Sequence, residues 1–171
     1  MTFQSSSAVK TSVLDLDQDM ESHNVNGIKA LGSPIAPVKA DCCGRDARGD
    51  RGENESGLPT KLLLAKGAKF RLVANLWTDA GLVNGATGFI LAIIYEEGQG
   101  PPALPRAIIA TFEDYMGPAF FPNVDKSVPI TPIKRAWTAA GKTVSRRQLP
   151  IILGYALRED SQTLVYHNSG K

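Results

Sequence analysis

From Leu58 onward, short apolar runs alternate with breaks rich in Gly, Pro and Asn. The runs predict strands at about 61–65, 69–75, 88–95, 106–113, 128–134 and 150–156, because β-branched and aromatic residues bounded by turn formers favour extended chain. Gly98 to Pro105 and Gly117-Pro118 through Asn123 read as loops between them. Asn84-Gly85 predicts a tight turn, since both residues tolerate positive φ. Gly88, at the head of the run Phe89 to Tyr95, predicts a bulge or a close backbone approach. The pairs Ile93-Ile94 and Ile108-Ile109 place apolar side chains on both faces, so some strands are expected to be covered on both sides. Ala136 to Ala140 reads as a short helical turn. Strands of this length and spacing predict a small barrel or sandwich.

Upstream the pattern changes. Residues 1–12 are rich in Ser and Thr and are expected to be disordered. Between 13 and 31 the apolar positions (Val13, Leu14, Leu16, Met20, Val25, Ile28, Leu31) are spaced in part as on a helix, interrupted by Asn26-Gly27. A short helix at about 17–31 is the expectation. Pro34 and Pro37 favour extended chain over 32–39. Residues 40–57 carry four glycines (Gly44, Gly49, Gly52, Gly57) and almost no apolar residue, so they read as a flexible linker. The organisation predicted is an N-terminal tail with a helix (1–39), a linker (40–57), a foldable β-rich unit (58–157) and a divergent tail (158–171).

Composition narrows the function classes. A length of 171 residues fits one domain, and 43% hydrophobic with 21% charged residues is ordinary for a globular chain. A net charge of +2 does not by itself argue for nucleic acid. Its distribution says more: Lys126 to Leu149 holds six basic residues (Lys126, Lys134, Arg135, Lys142, Arg146, Arg147) and no acidic one. The N-terminus lacks an apolar signal core, and no apolar run approaches the ~20 residues of a membrane span. An intracellular chain without a membrane partner is expected. Cys42 and Cys43 are adjacent, which would close a strained ring, so two free thiols in a reducing compartment are expected. Two histidines, His23 and His167, do not complete a zinc set with them.

Few residues could carry chemistry. Glu96-Glu97 and Glu113-Asp114 are adjacent in sequence; on a strand neighbours point to opposite faces, so neither pair forms an acid–base dyad. Gly141-Lys142-Thr143 imitates the end of a phosphate loop. The glycine that such a loop needs five residues earlier is Ala136, and no strand–loop–helix pattern surrounds it. The bland reading is a turn with Gly141 at its tip. Lys134-Arg135-Ala136-Trp137, with Lys142, Arg146 and Arg147, is the one credible functional surface. Cations attract phosphates, and an exposed Trp stacks on a splayed base. The competing reading packs Trp137 on the core with the cations as a solvated rim. Both stand on the sequence.

Several short motifs occur in a fixed order. Residues 67–88 read GAKFRLVANLWTDAGLVNGATG. Ala110 to Tyr115, Val128-Pro129-Ile130-Thr131-Pro132 and Ser145-Arg146-Arg147-Gln148-Leu149-Pro150 follow, and His23-Asn24 with Leu31 to Pro34 precede. Together, over about residues 22–157, they resemble the second half of the Pif family of ATP-dependent DNA helicases, relatives of RecD in helicase superfamily one. Gly67, Ala68, Leu72, Asn75, Leu76, Gly81, Leu82, Val83, Asn84, Gly85 and Gly88 carry the main match. Gly67, Asn75, Asn84, Gly85, Gly88 and Gln148 are the structural positions it marks. The resemblance implies a β-rich α+β fold: a small SH3-like barrel with the partial edge of a RecA-like domain. It implies single-stranded DNA as partner, and a nuclear or mitochondrial setting. In the intact family ATP and magnesium are cofactors; for this chain none is expected.

The resemblance also breaks. Past Leu157 the family's T-I-H-K-S-Q motif is replaced by Arg158-Glu159-Asp160-Ser161-Gln162, and no phosphate loop lies upstream. The expectation is a truncated or degenerate helicase fragment that does not hydrolyse ATP alone. The alternatives are a non-catalytic module that binds single-stranded DNA or a protein, and an incomplete gene model of an active helicase.

Overall fold

The structure, a computed structural model, describes residues 22–44 and 56–154. The expected tails at 1–12 and 158–171 lie outside these residues, as does most of the expected linker. Residues 22–29 are helical. The strands that follow are β1 (Ala36–Lys39), β2 (Asp41–Cys43), β3 (Lys61–Leu64), β4 (Lys69–Leu72), β5 (Thr87–Ile94), β6 (Ala107–Phe112), β7 (Ser127–Ile130), β8 (Ile133–Ala139), β9 (Lys142–Gln148) and β10 (Ile151–Leu153). A single 3-10 turn, Thr78–Ala80, interrupts the loop between β4 and β5.

The strands form a five-stranded sheet in the order β10-β4-β5-β6-β7, a three-stranded sheet β2-β9-β8 and a β1-β3 pair. The strand-rich reading therefore holds. The sheets are open, and none closes on itself among the described residues, so the expected barrel reduces to a five-stranded sheet with two smaller ones. Every pairing among the described residues is antiparallel. The last strand, β10, runs antiparallel to β4, with Ile151 opposite Leu72.

Alternation builds the core. In β4, Phe70 and Leu72 are buried while Lys69 and Arg71 are only half-covered, as a period of two requires. β6 is buried at both Ile108 and Ile109, as the paired isoleucines predicted. The same inference fails at the end of β5, where Ile94 is exposed. The register between β5 and β6 shifts between Ile90 and Ala92. Phe70 meets Phe112 edge-on at 5.5 Å between ring centroids. Gly88 lies directly against them. A Cβ there would sit 2.7 Å from the Thr111 carbonyl oxygen and 3.0 Å from both rings, so only glycine fits. The predicted close approach at Gly88 is thus observed, and the bulge falls three residues further on, at Leu91.

Three expectations are corrected. Ala136–Ala140 is not helical: residues up to Ala139 belong to β8. Residues 40–44 are not a linker, because β2 pairs with β9, Asp41 opposite Arg147. The foldable unit does not begin at Leu58: Ile28 of the N-terminal helix is fully buried in the main core with Val38 of β1 and Leu64 of β3. The core therefore draws on residues before Leu58.

Candidate nucleic-acid interface

The basic residues meet on the β8–β9 hairpin. Its tip is Ala140-Gly141, with φ of 47° and 73°. Positive φ at both central positions matches the right-handed twist of the two strands and closes a two-residue turn. This settles the local geometry of Gly141-Lys142-Thr143. Gly141 faces open space, Lys142 opens β9, and no helix follows. A phosphate cradle needs a loop leading into a helix N-terminus. The described residues do not fit ATP with magnesium here.

The register then sorts the candidates by face. Lys134 pairs with Arg147, Arg135 with Arg146, Trp137 with Val144 and Ala139 with Lys142. Opposed residues share a face and successive ones alternate. Arg135, Trp137, Lys142 and Arg146 therefore lie on one face, and Lys134 and Arg147 on the other. The six proposed contacts cannot all reach one strand of nucleic acid.

Two of the cations are committed to the protein. Arg146 is 0% exposed, and its Nη1 donates to the Leu58 carbonyl oxygen. Arg135 Nη1 donates to the Ser56 carbonyl oxygen. Gln148, also buried, donates from Nε2 to the Pro59 carbonyl oxygen at 3.3 Å, and its Oε1 accepts from the Leu149 amide at 3.0 Å. Three side chains of the hairpin thus hold the segment Ser56 to Pro59 by its carbonyls. This corrects the expectation of Arg146 as a DNA contact. Trp137 is half-buried, with Nε1 covered and without a hydrogen-bond partner, so its ring is not a free stacking platform. Lys134, Lys142 and Arg147 remain exposed. Arg147 lies 3.9 Å from Asp41 Oδ2, both exposed, a pairing that contributes little.

The motif residues hold the β4–β5 connection in shape. Asn75 Oδ1 accepts from the Asn84 amide at 2.8 Å. The Ala86 amide donates to the Val83 carbonyl, and the Gly85 amide to Leu72, both at 2.9 Å. Positive φ occurs at Gly85 and not at Asn84. The turn therefore has the pattern of a type II turn, with glycine at its third position, rather than the doubly positive turn expected. Gly67, at φ 84°, donates to the Ile90 carbonyl at 2.7 Å.

Sequence reasoning missed the other aromatic surface. Trp77 is 47% and Phe120 56% exposed, and with Tyr115 they line a cleft of about 590 Å³. The available signal was an aromatic residue inside a turn-rich loop, where no strand can carry it into the core. Burial pushes the Tyr95 phenol above its ordinary value. Cys42 and Cys43 are free. Among the described residues no group of His, Cys, Asp and Glu could hold a metal ion, and no helix is long and apolar enough to cross a membrane.

No protein-family model and no curated protein sequence matches the chain. Solved structures do. The Pif1 helicase from Candida albicans matches 81% of this chain with a TM-score of 0.58 at 17% identity, and the matched part is 33% of that chain. Unliganded Pif1 from Bacteroides sp matches 81% with a TM-score of 0.53 at 15% identity, over 37% of that chain. Bacteroides Pif1 bound to single-stranded DNA matches 81% with a TM-score of 0.52 at 15% identity, over 28%. The chain thus spans about a third of the length of these helicases, and what it carries is the fold of one segment of a Pif1 helicase.

Proposed function

We propose that this chain is a non-catalytic piece of the second half of a Pif1-type DNA helicase. One observation carries the reading. The residues that match the helicase motif (Gly67, Asn75, Asn84, Gly85 and Gly88) each have a definite structural task, in a fold shared with Pif1 structures over 81% of the chain. Chance similarity of short motifs would not place them at the turns and close approaches where those residue types are needed. In this reading the five-stranded sheet stands for the parent's SH3-like module, and β10 for the exit toward its motor domain. The placement of Gly141-Lys142-Thr143 at a hairpin tip, rather than in a loop leading into a helix, supports a chain without motor chemistry.

Single-stranded DNA is the proposed partner, as in one of the similar Pif1 structures. Contact runs through Lys134 and Arg147 on the outer hairpin face, with Lys142 near the tip. Arg135 and Arg146 contribute nothing to phosphate binding, since their guanidinium groups hold the Ser56 and Leu58 carbonyls. At ~0.7 per contact on single strands, three cations give a slope of about −2 in log affinity against log salt. Titrating labelled oligothymidine at several salt concentrations checks this. Lys134→Ala with Arg147→Ala should make the slope shallower by ~1.4. A folded protein without detectable binding at low salt removes DNA from the proposal.

A further inference from the structure

The second surface is built as firmly as the first. Trp77 and Leu82 form a bridge that closes the 3-10 turn Thr78–Ala80. The Met116 amide donates to the Ala80 carbonyl at 3.1 Å, tying this turn to the loop after β6. Gly81 packs against the Asp114 carbonyl so closely that a Cβ would sit 2.7 Å from it. Tyr115 is buried, stands edge-on to Trp77 at 6.4 Å, and donates its hydroxyl to the Pro118 carbonyl at 3.0 Å. The Phe120 amide donates to the Ser127 carbonyl at 2.7 Å, and the Phe121 amide to Ser127 Oγ at 2.9 Å. These bonds fix the walls of the cleft between Trp77, Tyr115, Pro118, Phe120, Pro129 and Ile133.

The lining contains no charged residue. Its surroundings are acidic. Asp79 lies two positions after Trp77, Glu113 and Asp114 immediately precede Tyr115, and Asp125 precedes Ser127 by two; all four are exposed. The Gly81–Asp114 packing brings together the two loops that carry Asp79 and Asp114. The cation of these two loops, Lys126, donates its Nζ to the Glu113 carbonyl oxygen. Lys134, next to the lining residue Ile133, alternates to the opposite face of β8. The cleft is thus bordered in sequence mostly by acids and the outer hairpin face by cations.

We propose that this cleft docks an extended, proline-rich segment of a partner protein that carries Arg or Lys beside its prolines. Proline rings are flat, apolar and pre-ordered in the polyproline II helix, so they lie on an aromatic groove with little loss of chain freedom. The acidic rim attracts the flanking cation and disfavours a phosphate backbone. A volume of about 590 Å³ holds a few such rings.

The test uses the full chain and two labelled peptides, decaproline flanked by arginines and decaproline flanked by glutamates. Fluorescence anisotropy should show the arginine peptide bound at least ~tenfold more tightly than the glutamate peptide. Trp77→Ala, with circular dichroism confirming that it is folded, should weaken the arginine peptide by about tenfold or more, as loss of an aromatic anchor does. Asp114→Asn should weaken it several-fold. Lys134→Ala with Arg147→Ala should leave it unchanged, which separates this site from the DNA contact proposed above. No binding of the arginine peptide by a folded protein overturns the proposal. So does equal binding of both peptides, or oligothymidine binding that Trp77→Ala abolishes.

Discussion

Arg146→Ala should unfold much of the protein, at a cost of about 3 kcal/mol or more. The residue is fully buried in β9, and its guanidinium donates to the Leu58 carbonyl. Truncation removes the carbonyl's charged donor and leaves it only the Ser56 hydroxyl at 3.4 Å, and a lost hydrogen bond to a charged group costs roughly 1.5–3 kcal/mol. It also opens a cavity that the strands cannot fill, because β2 and β8 hold β9 from both sides. Arg146→Lys should rescue little, since an ammonium lacks the planar fork. The segment Ser56 to Pro59 would keep its bonds to Arg135 and Gln148 and lose the buried one between them. Urea unfolding followed by circular dichroism gives the number. An Arg146→Ala protein of wild-type stability with weakened DNA binding would return this residue to the nucleic-acid surface.

Phe70→Ala should cost about 3–5 kcal/mol, the range for removing a large aromatic side chain from a packed core. Against a typical total of ~5–15 kcal/mol, such a variant is marginal at best. Phe70 is 0% exposed at the centre of β4, which pairs with β10 on one side and β5 on the other. Its ring packs on Phe112 and on the bare face of Gly88. Phe70→Leu keeps most of the volume and should cost ~1.5 kcal/mol or less. Two urea midpoints, with unchanged slopes, test both. A small loss for Phe70→Ala would mean that the five-stranded sheet does not form the core.

The centre of the fold was legible, and its margins were not, for reasons particular residues make plain. β3 to β6 are short apolar runs between turn-rich breaks, and apart from the end of β5 their side chains bury where the pattern places them. Gly88 announced its close contact because a glycine at the head of a β-branched run rarely has another use. β8 was missed because its inward positions are Arg135, Trp137 and Ala139, two of which carry a polar group or little bulk. An apolar count therefore sees no alternation there. Arg146 was read as a surface cation for the same reason: nothing in the sequence shows that the Leu58 carbonyl waits for it. β2 is three residues long and is ordered by pairing with β9 rather than by burial. β10 has the composition of a covered parallel strand, but its partner is the antiparallel β4. In the candidate site, residue types were legible and faces were not. Period-two alternation divides the hairpin once its register is known, and the register rests on the Ala140-Gly141 turn.

The central claim is that a helicase fold is kept here without motor chemistry. ATP hydrolysis by the purified 171-residue chain, with magnesium and saturating single-stranded DNA, tests it most directly. The expected result is turnover indistinguishable from buffer, with and without DNA. DNA-stimulated turnover that disappears in Lys142→Ala would contradict it, since it would place a working phosphate site at the tip of the β8–β9 hairpin.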